Sequence, residues 1–262
     1  MKIKIENLYF AFNENHILKN INIEFEKSKV YSLLGKNGTG KTTLLKNLLG
    51  ILKPSSGKIS IGNRVVSDIK EKDLSKIISY VPQTINSNLT FDVLTMVLMG
   101  RNPYLNALTK PTKEDYELSY EAIRIVGIDK LIEKDFSKLS GGEKQLVMIA
   151  RAIAQDTEFI VMDEPTSNLD IKNQNEVMNL IWDISRKYNK GIILSIHDPL
   201  LCYKYCDEGV MIKDGELMIS GQIDDIFTEE HLSKLYDVEF TTIRGVNSEK
   251  IIVPSFTLNK RH

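Results

Sequence analysis

The stretch GKNGTGKT, Gly35 to Thr42, has residue types and spacing that imply chemistry directly. It fits G-x-x-x-x-G-K-[ST], with the apolar run VYSLL before it and the helical pattern TTLLKNLL after it. The glycines let the backbone curl until successive N–H groups face phosphate oxygens, and the following helix adds its positive end. Lys41 can reach the β- and γ-phosphates, and the Thr42 hydroxyl can ligate Mg²⁺. Gly35, Asn37, Gly38, Thr39, Gly40, Lys41, Thr42 and the adjoining Thr43 are therefore assigned to nucleotide binding.

A phosphate loop of this kind needs a metal and water site, and FIVMDEP supplies one. The apolar run from Phe159 is a buried strand that delivers Asp163 and Glu164 at its carboxyl end, where open α/β sheets bind ligands. Asp163 is expected to hold Mg²⁺ through water. Glu164, one residue on, is placed to polarise a water for in-line attack on the γ-phosphate. An Asp-Glu pair before a proline turn is unremarkable alone; behind a phosphate loop it is not. Gln83, in YVPQ, is placed to touch both Mg²⁺ and the attacking water, and His197, ending GIILSIHD, to donate to the γ-phosphate. His16, His231 and His262 have no such context and receive no role.

A second anion-binding pattern lies far downstream, in LSGGEKQ. Ser140 is a good N-cap, and Gly141 and Gly142 leave N–H groups unobstructed at a helix start. A capped helix would explain Ser140, but each glycine in the first turn costs about 1 kcal/mol relative to alanine. Something other than helix formation must favour them. A two-fold dimer in which Ser140–Gly142 of each chain closes on the γ-phosphate held by the other would do so reciprocally.

These sites require strands that end together and helices that begin beside them. KIKIENLYF alternates, INIEFEKSKVYSLL supplies two more strands, and GKISIGNRVV makes a hairpin around Gly62-Asn63. From Thr90 to Gln155 the pattern is helical: FDVLTMVLMG, a helix opening on the Thr112/Asp115 capping box with Leu118, Ala122 and Ile125 on one face, and a third from Gly142 with Leu146, Ile149 and Ile153 aligned. Strands then return in EFIVMDEP, GIILSIHD and a hairpin turning at Asp214-Gly215. The C-terminal segment reads as a helix and short strands packed on the core. The expected architecture is α/β: a P-loop NTPase (RecA-like) core, residues 1–84 and 156–262, with an N-terminal antiparallel β subdomain and an inserted α-helical subdomain, 85–155.

Composition narrows the function classes. The 262 residues suit one domain with an inserted subdomain, and 42% hydrophobic content suffices for a core. Lys plus Arg, 34, balance Asp plus Glu, 35, so no nucleic-acid partner is expected. The two cysteines, Cys202 and Cys206, read as small buried residues a helical turn apart rather than metal ligands, and the chain as cytosolic and disulfide-free. The start MKIKIENLYF lacks a signal peptide's apolar core, and no stretch approaches the roughly 18 apolar residues of a membrane span. Any membrane role must come through a partner chain.

Taken in order, GKNGTGKT, YVPQ, LSGGEKQ, FIVMDEP, SNLD and SIHD resemble the motif series of ATP-binding cassette (ABC) ATPases across essentially the whole chain. The resemblance implies ATP and Mg²⁺, a head-to-tail sandwich of two copies with Ser140 and Gly142 on the partner's ATP, and Asp170 in the loop linking the two sites. It also implies an aromatic stacking on adenine; Phe12 matches that position, with Tyr9 and Phe10 as alternatives. Lys36 stands where many members carry proline, and Lys144 where arginine is commoner. Single cassettes mostly resemble ATPase subunits of transporters, bound peripherally at the cytoplasmic face of the membrane. These offer a groove near Gln83 and the segment after it to a short helix of transmembrane permease subunits, and act indirectly with an extracytoplasmic substrate-binding protein. VLMGRNPYLNAL, TKEDYE and LDIKNQNEVMNLI are similar to importers of iron–siderophore, haem and cobalamin chelates; relatives handling molybdate or other metals share much of this. A cassette acting on DNA or ribosomes is the alternative class, disfavoured by the absence of long coiled-coil insertions, a second cassette or basic segments; a P-loop small-molecule kinase would have no use for Ser140–Gly142.

Overall fold

Alternate residues of Lys2–Phe12 (β1) and Asn15–Glu26 (β2) bury Ile3, Ile5, Leu8 and Phe10 against Leu18, Ile21, Ile23 and Phe25, and leave mostly polar residues outside. Val30–Leu34 (β3) is different: all its residues are apolar or small and all are buried, as a strand covered on both faces must be. Both kinds of strand join one sheet in this computed structural model, which describes residues 1–84, 90–106, 109–167, 169–244 and 250–255. The antiparallel part comprises β1, β2, Ser56–Ile61 (β4) and Arg64–Val65 (β5). The parallel part comprises β3, Ile78–Val81 (β6), Phe159–Met162 (β7), Gly191–Ser195 (β8) and Glu208–Lys213 (β9). Glu216–Gln222 (β10) returns antiparallel to β9 and meets β2 through the single pair Glu216↔Lys19. The ten strands run β5-β4-β1-β2-β10-β9-β3-β8-β7-β6.

Helices follow the parallel strands and cover the sheet. Lys41–Leu48 (α1) follows β3 and packs Leu44, Leu45 and Leu48 into the core shared with the antiparallel strands. The short Glu71–Leu74 (α2) precedes β6. Between β6 and β7 stand Val93–Leu98 (α3), Lys113–Val126 (α4) and Gly141–Ala154 (α5). Ile171–Lys187 (α6) and Pro199–Tyr205 (α7) follow β7 and β8, and share the second core with α3–α5. Ile223–Ile226 (α8), Glu229–Tyr236 (α9) and the antiparallel pair Phe240–Arg244 (β11) and Lys250–Pro254 (β12) close the described chain. Cys202 and Cys206 are buried and free.

One helical expectation is corrected. FDVLTMVLMG is helical only to Leu98 and then tightens into the 3₁₀ segment Met99–Tyr104, which contains Pro103. Leu118, Ala122 and Ile125 of α4 do share one face and line one cleft together, and the fully buried seam of the helix runs beside them through Asp115, Ser119, Ala122 and Ile123. Polar residues sit in the seam because Asp115 Oδ1 accepts from the buried Arg101 Nε at 2.9 Å, while Ser119 Oγ donates to Asp115 O at 2.7 Å. Hydrophobic periodicity cannot register such a pair.

Candidate nucleotide-binding site

The phosphate loop begins where β3 ends. A Cβ on Gly35 would lie 2.3 Å from Ile212 O and 2.7 Å from Thr39 Oγ1, so only glycine fits between the loop and β9. Gly40 caps α1 with a left-handed φ of +99°. Asn37 and Gly38 form the exposed crest, while Thr39, buried, donates its hydroxyl to Lys36 O at 3.0 Å. Lys41 lies inside the curl, its Nζ donating to Gly35 O at 2.7 Å and Lys36 O at 2.9 Å. Burial pulls its ammonium pKa down, with the charges of Glu164 and Asp163 opposing. Thr42 and Thr43 begin α1, half-buried.

Strand register brings the other groups alongside. Val81 pairs with Met162, and Met162 with Leu194, so the residues after β6, β7 and the end of β8 emerge at one edge. Thr42 Oγ1 donates to Asp163 Oδ1 at 3.2 Å, joining the loop to the carboxylate. Glu164 has a φ of +48°, a conformation that costs a non-glycine residue about 1–2 kcal/mol. Its N–H donates to Ser195 Oγ at 2.8 Å, and its carbonyl accepts from Ser167 Oγ at 2.9 Å, bonds that hold the turn. Gln83 Nε2 donates to Glu164 Oε2 at 2.6 Å, and His197 Nε2 lies 2.5 Å from Glu164 Oε1. Both side chains therefore grip one carboxylate, a contact that the separate sequence assignments to metal and phosphate did not contain.

Ser195 was missed by sequence reasoning. It is fully buried, donates to Asp163 Oδ1 at 2.7 Å and accepts from Glu164 N–H, so one hydroxyl positions both acidic residues. Its only signal was a hydroxyl closing the otherwise apolar GIILS, two residues before His197.

Ser140 caps α5 in a reciprocal box: Glu143 N–H donates to Ser140 Oγ at 3.3 Å, and Glu143 Oε2 accepts from Ser140 N–H at 2.9 Å. The bonds from Ser140, backbone first, hold the Glu143 carboxyl below the usual range. A Cβ on Gly141 would meet nothing within 4 Å, and one on Gly142 would make only ordinary contacts at 3.7 Å with Asn173 Nδ2 and Leu169 Cδ2. Packing within the chain thus requires neither glycine. The Gly142 contacts set the turn beside Asp170, which caps α6 by accepting from Asn173 N–H at 2.8 Å. Asn168 of SNLD, residues 85–89 after Gln83, and Ala107 and Leu108 of VLMGRNPYLNAL lie outside the described residues.

Of the candidate stacking aromatics, Phe10 is 5% exposed and belongs to the core, which removes it. Phe12, 51% exposed, stands edge-on to Phe10 at 4.8 Å between ring centroids, and Tyr9 is 37% exposed. Lys36 has a partner that the sequence did not suggest: its Nζ lies 2.6 Å from Asp237 Oδ2 just after α9.

A glycine-rich turn between a buried strand and a helix, with acidic residues ending a neighbouring parallel strand, defines a P-loop NTPase. The chain belongs to the ABC transporter family, whose model matches residues 18–167, a family of transporter ATPases. It is 34% identical over 254 residues to an iron chelatin transport ATP-binding protein of Helicobacter pylori, covering 97% of this chain and 99% of that one. It is also 34% identical over 235 residues to the molybdate import ATP-binding protein MolC of Haemophilus influenzae, covering 89% and 87%. A solved metal-chelate type ABC transporter in an inward-facing conformation superposes with a TM-score of 0.86 at 31% identity, covering 97% and 98%. Among the described residues no helix is long and apolar enough to cross a membrane.

Proposed function

We propose that this chain is the ATP-hydrolysing subunit of a membrane importer for a metal chelate of the iron–siderophore, haem or cobalamin type, working as two copies closed on two ATP molecules. The carrying observation is an incomplete site: a phosphate loop and Glu164 at one place, and elsewhere a turn with Ser140 and Gly141 exposed and Gly142 half-buried, whose glycines no internal packing explains. A second copy supplies the missing half. Asp170, beside that turn, links the two sites.

The loop from Gly35 to Thr43 binds the phosphates, Lys41 moving its Nζ from loop carbonyls to phosphate oxygens, and Phe12 covers the adenine. Thr42, Asp163 and Gln83 present oxygen atoms that suit Mg²⁺, which when bound would offset phosphate charge. Glu164 takes the proton of the attacking water; Gln83 and His197 orient its carboxylate and, with ATP present, turn toward the γ-phosphate. Residues 85–155 form the subdomain that carries Ser140 to the partner, and the core comprises 1–84 and 156–262. The subunit sits peripherally on the cytoplasmic face, against permease subunits that meet an extracytoplasmic binding protein.

GRNPY at Gly100–Tyr104 and the chelate-type structural relative favour a chelate as cargo. Molybdate is the competing cargo, because MolC of Haemophilus influenzae matches at the same identity as the iron chelatin protein. Purification of the native protein from mild-detergent extracts should recover a partner with many membrane spans, and the ligand of the associated binding protein decides the cargo. Recovery of ribosomes or DNA instead would refute the transporter assignment.

A further inference from the structure

One carboxylate ties the phosphate loop to the C-terminal segment. Asp237 follows α9 in a left-handed turn, φ +54°, a conformation that aspartate tolerates better than most residues. Its Oδ2 accepts from Lys36 Nζ of the loop at 2.6 Å, and its Oδ1 from Lys213 Nζ at the end of β9 at 2.6 Å. Lys213 Nζ also donates to Lys234 O in the last turn of α9 at 2.6 Å. Hydrogen bonds from Lys213 and Lys36 hold the Asp237 carboxyl at about 2, so it is ionised at neutral pH.

The platform beneath Asp237 is fixed. Leu232 and Leu235 of α9 are buried in the same core as Leu34, the last residue of β3 before Gly35. The β9 backbone at Ile212 lies so close to the loop that a Cβ on Gly35 would sit 2.3 Å from its oxygen. Inside the loop, Lys36 O is the acceptor on which the curl closes: it takes Lys41 Nζ at 2.9 Å and Thr39 Oγ1 at 3.0 Å. A proline at this position would fix its own φ by its ring. Lysine has no such restraint, and an anchored carboxylate can supply one from outside.

We propose that Asp237 is a positioning residue of the nucleotide site, holding the phosphate loop through Lys36 in the curl that receives the triphosphate; this rests on the assignment of that loop to phosphate binding. The segment after β10 then serves the ATP site as well as packing on the core. When Lys41 turns to phosphate oxygens, Lys36 O loses that donor, and the Lys36–Asp237 pair keeps the loop from relaxing. Loss of the pair therefore weakens ATP binding and spares the chemical step. Both side chains are about half exposed, so the effect is limited to what one exposed ion pair supplies.

The test uses the full chain, titrated with ATP and Mg²⁺ by calorimetry, and turnover at saturating ATP. Wild type must bind ATP; failure there sinks the phosphate-loop assignment itself, before any substitution is made. Asp237→Asn should raise the ATP Kd about threefold to fivefold, with saturated turnover within about twofold of wild type. Lys36→Leu should raise it by a similar factor, and the double variant by no more than either alone, since both remove one interaction. Lys36→Pro, which stiffens the loop without Asp237, should bind ATP as wild type does and make Asp237→Asn silent. Reduced stability of Asp237→Asn with an unchanged ATP Kd would overturn the proposal, the carboxylate then securing only the C-terminal segment. Tighter ATP binding by Asp237→Asn would overturn it too, because a freed Lys36 would then be meeting phosphate itself. If Asp237→Asn fails to fold, Lys36→Leu and Lys36→Pro decide. Weaker binding by the first alone fits positioning, and equal weakening of both sinks it.

Discussion

Ser195 Oγ donates to Asp163 Oδ1 at 2.7 Å while accepting the N–H of Glu164 at 2.8 Å. One buried hydroxyl therefore orients the carboxylate assigned to the metal and stabilises the left-handed turn that aims Glu164. Ser195→Ala leaves the Glu164 N–H without its acceptor, at about 1–3 kcal/mol, and leaves Asp163 Oδ1 with only the longer bond from Thr42 at 3.2 Å. Denaturant unfolding should show that loss. ATP turnover should fall about tenfold with ATP affinity nearly unchanged, a split that general destabilisation would not produce.

Glu164→Gln keeps the size of the side chain and removes the base. General-base catalysis is typically worth 10²–10⁴-fold, so steady-state turnover should drop by about that factor while ATP still binds. In this variant ATP should move the protein from monomer to dimer on a sizing column. An elution volume indifferent to ATP would count against the sandwich, and wild-type turnover against the base.

Gly141→Asp separates folding from assembly. The added Cβ has open space, an aspartate replaces a poor helix former, and its charge suits a helix N-terminus. The melting temperature should hold or rise. Turnover and the ATP-driven dimer should nevertheless fall at least about tenfold, because a carboxylate would face the partner's γ-phosphate. Full activity would show that the Ser140 turn meets no phosphate.

Asp237 accepts from both Lys213 and Lys36 at 2.6 Å, and these hydrogen bonds hold its carboxyl at about 2. The folded pKa lies below the unfolded value of about 3.9, so the linked stability is complete above that value and is lost as pH falls toward about 2. Asp237→Asn should unfold more readily than wild type at pH 6, and the gap should close as pH drops from about 4 to about 2. The effect should shrink with added salt, since the groups are exposed. A gap independent of pH would mean that the charge of Asp237 plays no part.

Local rules made much of this chain legible. The loop Gly35–Thr42 needs only its own spacing, since the backbone N–H groups that meet phosphate are consecutive in sequence. Buried strands such as VYSLL and FIVM are continuous apolar runs because both faces are covered, and the Thr112 and Ser140 caps lie within three residues of their partners. Where a bond crosses strands or helices, those rules are silent. The bonds of Gln83 and His197 to Glu164 depend on the β6-β7-β8 register, and the buried Arg101–Asp115 bond puts a charged residue into the seam of α4.

The sequence by itself determined the α/β class, the phosphate loop, the acidic strand end and the second glycine turn, because each is a short-range pattern of backbone freedom, hydrophobicity and charge. Only the tertiary structure decided that Ser195 positions both acidic residues, that Phe10 is core and that Lys36 faces Asp237. Each of these depends on which distant segments pack side by side, and the order of strands in a sheet is not written in the residues of any one of them.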